Sequence, residues 1–158
     1  MSAPRVLLVD DEPTVLRAAR RALAPHFDVD TAASGEEALA LLTQNAYDVL
    51  VTDHLMPGIH GVELLGRARA MHEGLAGVLV TGSAEHAARL DVRRFHTLIK
   101  PYDRTTLIET VERALAQGVR QVRAVGLDLQ LVFFAETQVV VQEIAVLVAQ
   151  ERVQIGPG

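Results

Sequence analysis

Uninterrupted apolar runs that stop at a charge, each followed by a stretch with helical spacing, recur along this chain. Val6-Leu7-Leu8-Val9 stops at Asp10-Asp11, Val49-Leu50-Val51-Thr52 stops at Asp53, and Leu98-Ile99 stops at Lys100-Pro101. A short, β-branched-rich run without polar alternation is how a strand buried on both faces reads. If these runs are parallel strands of one sheet, their carboxyl ends lie side by side, and three carboxylates meet one ammonium in one crevice. Such a crevice suits a divalent cation and a phosphoryl group.

Between the runs the apolar residues change to three-four spacing. Val15, Leu16, Ala19 and Leu23 predict a helix over 13–24 with Pro13 in its first turn. Phe27 to Ala32 alternates weakly as a second strand. Ser34 followed by Glu37 gives an N-cap and capping-box signal ahead of Ala38, Leu39, Leu41 and Leu42, which predict a helix to about Gln44. Met56-Pro57-Gly58 is turn chemistry, and Val62, Leu64, Leu65 and Ala68 carry the next helix. Val78-Leu79-Val80-Thr81 is a fourth strand with Gly82 behind it, Ala84 to Leu90 a short helix, and Phe95 to Ile99 a fifth strand. Asp103 caps a last helix through Leu107, Ile108, Val111 and Leu115. The order βαβαβαβαβα predicts an α/β fold with a doubly wound parallel sheet of five strands, covered on both faces. Ligands of such sheets bind at the carboxyl ends of the strands, near the point where the winding reverses. The charged residues sit there.

A length of 158 residues with 49 % hydrophobic content fits one well-cored domain plus a tail. The absence of cysteine excludes disulfides and thiolate metal sites. A formal net charge of -5 offers no general attraction to phosphate backbones or anionic lipid, so neither direct nucleic-acid binding nor a membrane partner is expected. Arg17, Arg20, Arg21 and Arg89, Arg93, Arg94 read as solvated helix faces. The N-terminus passes from Met1 to Arg5 straight into the first strand without a long apolar core, and the expected location is cytoplasmic.

Four separated motifs now stand in order: Leu7-Leu8-Val9-Asp10-Asp11-Glu12-Pro13, Thr52-Asp53-His54-Leu55-Met56-Pro57-Gly58, Val80-Thr81-Gly82 and Lys100-Pro101. Together they closely resemble the receiver domain of two-component response regulators, over about residues 4–118. The resemblance implies a flavodoxin-like (βα)5 fold and a phosphoryl group donated to Asp53 by a sensor histidine kinase. It implies Mg2+ as the cofactor, with Asp11 and Asp53 as direct ligands, Asp10 acting mainly through water, and the Leu55 backbone carbonyl completing the protein side. Lys100 would pair with one phosphoryl oxygen, the Thr81 hydroxyl would turn inward to another, and Gly82 would leave room. The Lys100-Pro101 bond would be cis. Such a protein is not an enzyme acting on a separate substrate; it assists its own phosphorylation and dephosphorylation.

The sequence also departs from the family pattern. Many receivers carry an aromatic ring three residues before the lysine, where this chain has Thr97, with Phe95 and Tyr102 nearby. The expected output element is therefore the strand-five to helix-five surface around Tyr102. The segment from Thr81 to Lys100 is short, so the fourth helix is expected to be short or displaced. Leu55 cannot orient an attacking water by hydrogen bonding, which predicts a long-lived phosphoryl group. His54 and His60 flank the acceptor loop, but their spacing suits neither a helical nor a strand pair of metal ligands. An aspartyl phosphohydrolase would resemble Asp-x-Asp after the first strand rather than adjacent Asp10 and Asp11. A phosphorylation-independent dimerising scaffold of receiver fold is the alternative.

The reading divides the chain into a receiver over 1–118 and a C-terminal extension over 119–158 without a recognised output domain. Val122, Val125, Leu129, Val132, Val139 and Val146 keep three-four spacing, consistent with a helical extension packing on a second copy, although Glu136 and Glu143 interrupt the seam. Gln130 to Ala135 and Gln138 to Val141 are equally good strand formers, and the first needs cover. A homodimer through the extension is expected, with packing back on the receiver as the other possibility.

Overall fold

A computed structural model describes residues 2–89 and 95–125, the side chains of His86, Arg89 and 118–125 excepted. The elements are β1 (Arg5–Val9), α1 (Pro13–Leu23), β2 (Asp28–Ala32), α2 (Gly35–Gln44), β3 (Val49–Asp53), α3 (Gly61–Met71), β4 (Ala76–Thr81), α4 (Ala84–Arg89), β5 (His96–Ile99) and α5 (Arg104–Val125). The strands form one parallel sheet in the order β2-β1-β3-β4-β5. The chain leaves β1 toward β2 on one side and returns to β3 on the other, so the winding reverses between β1 and β3. Val9 pairs with Thr52, Asp53 with Val80 and Thr81 with Ile99. This register sets Asp10 level with Asp53 and brings Lys100 to the same end.

Alternate strand residues feed opposite faces because successive side chains point to opposite sides of a sheet. Val6, Leu8, Val51, Val78, Val80 and Leu98 join Ala19 and Leu23 of α1 and Leu107 and Val111 of α5. On the other face Leu7, Val9, Leu50 and Leu79 meet Ala38 and Leu42 of α2 and Leu64, Leu65 and Ala68 of α3. Each fully buried leucine contributes about 2 kcal/mol.

The helix ends follow local chemistry. Pro13 stands in the first turn of α1, where its missing N–H costs nothing. Ser34 Oγ accepts from Glu37 N at 3.1 Å, whereas Glu37 Oε2 accepts from Ala33 N at 2.9 Å, one residue earlier than a capping box closes. Asp103 Oδ1 accepts from Thr106 N at 2.7 Å ahead of α5, and this bond holds the Asp103 carboxyl below its ordinary range. At the far end of the sheet Arg5 pairs with Asp30 at 3.0 Å and lies over the Tyr47 ring, whose hydroxyl donates to Asp30 at 2.7 Å.

Helix α4 is described over Ala84–Arg89, and residues 90–94, on which the expected shortness of this helix also turns, lie outside the described residues. β4 starts at Ala76, two residues before the apolar run suggests, and β5 starts at His96 rather than Phe95. Contacts divide the chain into Met1–Arg120 and Gln121–Gly158. The expected extension beyond Val125, with its helix or strand alternatives, lies outside the described residues. No helix among the described residues is long and apolar enough to cross a membrane.

Candidate functional site

The crevice is built from three strand ends. Past β1, Asp10 N donates to Ala32 O at 3.2 Å, and Asp10 Oδ1 accepts from Glu12 N at 2.9 Å, which turns the carboxylate over the entry to α1. Asp53 closes β3, and Asp11 stands exposed beside these two buried carboxylates. Ligand oxygens of Asp10, Asp11 and Asp53 all lie within 4.8 Å of one another. Lys100 follows β5, its N–H donating to Thr81 O at 2.8 Å and its peptide bond to Pro101 cis. The ammonium lies 3.0 Å from Asp53 Oδ1 and 3.6 Å from Asp10 Oδ2.

Burial pushes the Asp10 carboxyl above its ordinary range, although the Glu12 N–H and the Lys100 charge work the other way. Burial also opposes the charge on Lys100, but the hydrogen bond to Asp53 and the negative charges of Asp53 and Asp10 prevail and raise its pKa. One ammonium against three carboxylates leaves a surplus of negative charge in a partly desolvated pocket. An all-oxygen donor set of this kind fits a hard divalent cation.

The other expected residues fall around this centre. Thr81 is buried, and its hydroxyl accepts from Ser83 N at 3.3 Å. Gly82 is exposed, with open space where a Cβ would stand. Leu55 is 63 % exposed. His60 is the N-cap of α3 and His54 N donates to Val80 O; the metal-capable group among the described residues contains neither histidine. The two aromatic residues near Thr97 serve opposite faces of the sheet. Phe95 packs with the α2 and α3 cluster under the Arg69 guanidinium, and Tyr102 packs with the α1 and α5 cluster. A cavity of about 20 Å³, room for one water, lies beneath the site and is lined by Asp10, Asp53, Leu16, Val80, Tyr102 and Leu107.

Sequence reasoning passed over Gly61. A Cβ there would fall on the Asp53 carbonyl oxygen, and Gly61 N donates to His54 O at 2.9 Å. The first turn of α3 thus rests directly on the backbone of Asp53. A glycine opening a helix after a turn is the one local signal that could have pointed to it.

The family model described as "Response regulator receiver domain" matches residues 6–112. The chain belongs to this family. Among its relatives, the receiver is 35 % identical over 122 residues to a chemotaxis protein CheY homolog of Campylobacter jejuni, covering 72 % of this chain and 94 % of that one. It is 35 % identical over 120 residues to the hydrogenase transcriptional regulatory protein HoxA of Cupriavidus necator, covering 73 % of this chain but spanning only 25 % of that protein's length. Among solved structures, the response regulator TrrA of Thermotoga maritima, crystallised in complex with Mg(2+)-BeF, superposes with a TM-score of 0.65 at 31 % identity, covering 73 % of this chain and 100 % of that one. The five-stranded parallel fold is thus that of the family's solved members.

Proposed function

We propose that this receiver accepts a phosphoryl group on Asp53 from a phosphohistidine of a sensor histidine kinase, in a Mg2+-dependent reaction, and so acts as a switch in the cytoplasm. The observation that carries the reading is the Lys100 ammonium 3.0 Å from Asp53 Oδ1 within a group of three carboxylates. An Asp53 carboxylate oxygen attacks phosphorus, the P–O bond forms as the P–N bond breaks, and the nitrogen's electron pair returns to the imidazole, which takes up a proton. Little covalent work falls to the protein, so positioning and charge neutralisation dominate. When bound, Mg2+ offsets the charge of the phosphoryl oxygens. Asp11, Asp53 and the Leu55 carbonyl would hold it directly and Asp10 through water. Lys100 stands ready to exchange part of its pairing with Asp53 for a phosphoryl oxygen. Thr81 needs only to turn its hydroxyl from Ser83 N toward the same group.

Phosphorylation then shifts an equilibrium between two conformations and alters a protein-protein contact. In this reading residues 119–158 supply a surface for a second copy, since the run from Leu131 to Ala135 is apolar and uncharged. The test is intact mass after incubation with Mg2+ and a small acyl phosphate, with Asp53→Asn alongside and light scattering on both. A phosphate-sized gain lost in Asp53→Asn supports the switch. No gain under conditions that bind Mg2+ favours the phosphorylation-independent scaffold.

A further inference from the structure

The loop from His54 to His60 carries the Leu55 carbonyl that the proposed metal site uses. Its inner half is tied to the sheet and core: His54 N donates to Val80 O at 2.8 Å, and the Met56 side chain is 3 % exposed among Leu7, Leu50 and Leu79. The outer half meets a different element, the first turn of α2. A Cβ on Gly35 would lie 2.7 Å from Ile59 Cβ, 3.1 Å from its Cγ2 and 3.2 Å from its carbonyl oxygen. One residue on, the Glu36 carboxylate lies over Gly58, where a Cβ would come 2.6 Å from Oε1, and Gly58 itself has φ 78°. The Glu36 carboxylate is the free end of an exposed side chain and can move aside, so the contact that leaves no room for a Cβ is that of Gly35 with Ile59.

We propose that Gly35 is a positioning residue for the metal side of the site, acting through Ile59. Its missing Cβ lets Ile59 seat against α2, and that seat fixes where the loop presents the Leu55 carbonyl. A methyl group at residue 35 must push the loop outward, because the helix behind it is held by the buried Ala38 and Leu42. The carboxylates of Asp10, Asp11 and Asp53 belong to strand ends and stay in place. Mg2+ demands near-octahedral oxygen geometry, so displacement of one ligand by a few tenths of an ångström weakens binding while leaving the other ligands intact. The inference rests on reading Asp53 as a Mg2+-dependent phosphoacceptor.

The experiment is calorimetric Mg2+ titration of the full chain, with urea denaturation in EDTA and the phosphorylation rate followed against Mg2+ concentration. Gly35→Ala is expected to raise the Mg2+ Kd about tenfold and to slow phosphorylation at low Mg2+, with the rate recovered at saturation. Ser34→Ala serves as the comparison, since it loosens the same helix through its cap without adding a Cβ against Ile59, and should lower stability while leaving the Kd unchanged. Should Gly35→Ala not fold, Ile59→Ala, which empties the seat from the loop side, should still weaken Mg2+ binding. An unchanged Kd in Gly35→Ala or Ile59→Ala, or an equal loss in Ser34→Ala, overturns the proposal while leaving the phosphoacceptor reading intact. A wild-type protein that binds no Mg2+ removes both.

Discussion

The Lys100 ammonium and the Asp53 carboxylate lie 3.0 Å apart at the carboxyl ends of β5 and β3. Lys100 also reaches Asp10 at 3.6 Å, so one partly exposed cation is shared between two buried carboxylates. In the absence of a metal, this ammonium offsets the repulsion within the acidic group.

Lys100→Met should therefore destabilise the metal-free protein by about 1–2 kcal/mol, a figure kept below that of a fully buried pair because the ammonium is partly solvated. Saturating Mg2+ should shrink the difference, because the metal replaces the missing charge and stabilises the folded state by linkage. Urea denaturation with and without Mg2+ measures both. Equal losses under the two conditions would show that Lys100 and the metal do not share the carboxylates.

Asp10 has a pH signature of its own. Its pKa is raised above the ordinary 3.8, so the folded protein holds the proton more tightly than the unfolded chain does. Stability in EDTA should fall as pH rises from 3.8 through the folded pKa, the charged form being the one that burial penalises. Asp10→Asn should remove this component and raise the melting temperature at neutral pH by on the order of a few degrees, while weakening Mg2+ binding. Thermal melts from pH 4 to 8 would expose the opposite trend, a wild-type advantage at neutral pH in EDTA.

Gly61→Ala places a methyl group on the Asp53 carbonyl oxygen. Helix α3 must withdraw or the strand end must shift, at a cost of about 2–3 kcal/mol. Mg2+ affinity should fall with stability, because the displaced backbone is that of Asp53, one of the three clustered carboxylates. Gly66→Ala, on the same helix with open space around it, should be neutral or stabilising in the same denaturation assay.

Leu55, two residues after Asp53, offers an exposed hydrocarbon that can make no hydrogen bond to an attacking water. Leu55→Asn should shorten the life of phosphorylated Asp53 by roughly tenfold, the equivalent of one well-placed hydrogen bond in the barrier. Loss of the phosphate mass with time after removal of the donor provides the rate. An unchanged decay would mean that water reaches the phosphoryl group without help from this position.

The chain has two tyrosines, Tyr47 and Tyr102, and burial raises both phenols, Tyr47 to about 12 with the Asp30 hydrogen bond adding to the effect. Absorbance at the phenolate band should show less than half-ionisation at pH 10 while the protein remains folded. Stability from both phenols is complete below pH 10 and declines as pH rises toward the folded values. The raised pKa of Lys100 adds a loss that sets in above its ordinary 10.5 and continues through the folded value, since its protonated form is the one the folded state favours. Alkaline unfolding should be steep for this reason.

Much of the architecture was legible because its determinants are local. Val6 to Val9 and Val49 to Thr52 read as strands since both faces of a parallel strand need apolar cover, Ser34 and Asp103 mark helix starts through bonds that close within three residues, and Pro13 marks one by a missing N–H that costs nothing in a first turn. The acidic group was legible for a related reason: Asp10, Asp11 and Asp53 follow apolar runs immediately, so any parallel pairing gathers them. Thr97 could be seen to lack a ring, but not that Phe95 and Tyr102 serve opposite faces of the sheet.

The sequence by itself determined the order of strands and helices among the described residues and which charges lie at strand ends. Tertiary structure alone decided the register that levels Asp10 with Asp53, the sharing of Lys100 between them, and the fit of Gly61 and Gly35 against backbone and side chains from other elements. The physical reason is range. Propensity and capping act within a turn of chain, whereas desolvation, ion pairing and steric exclusion act between atoms that only the packed sheet brings together.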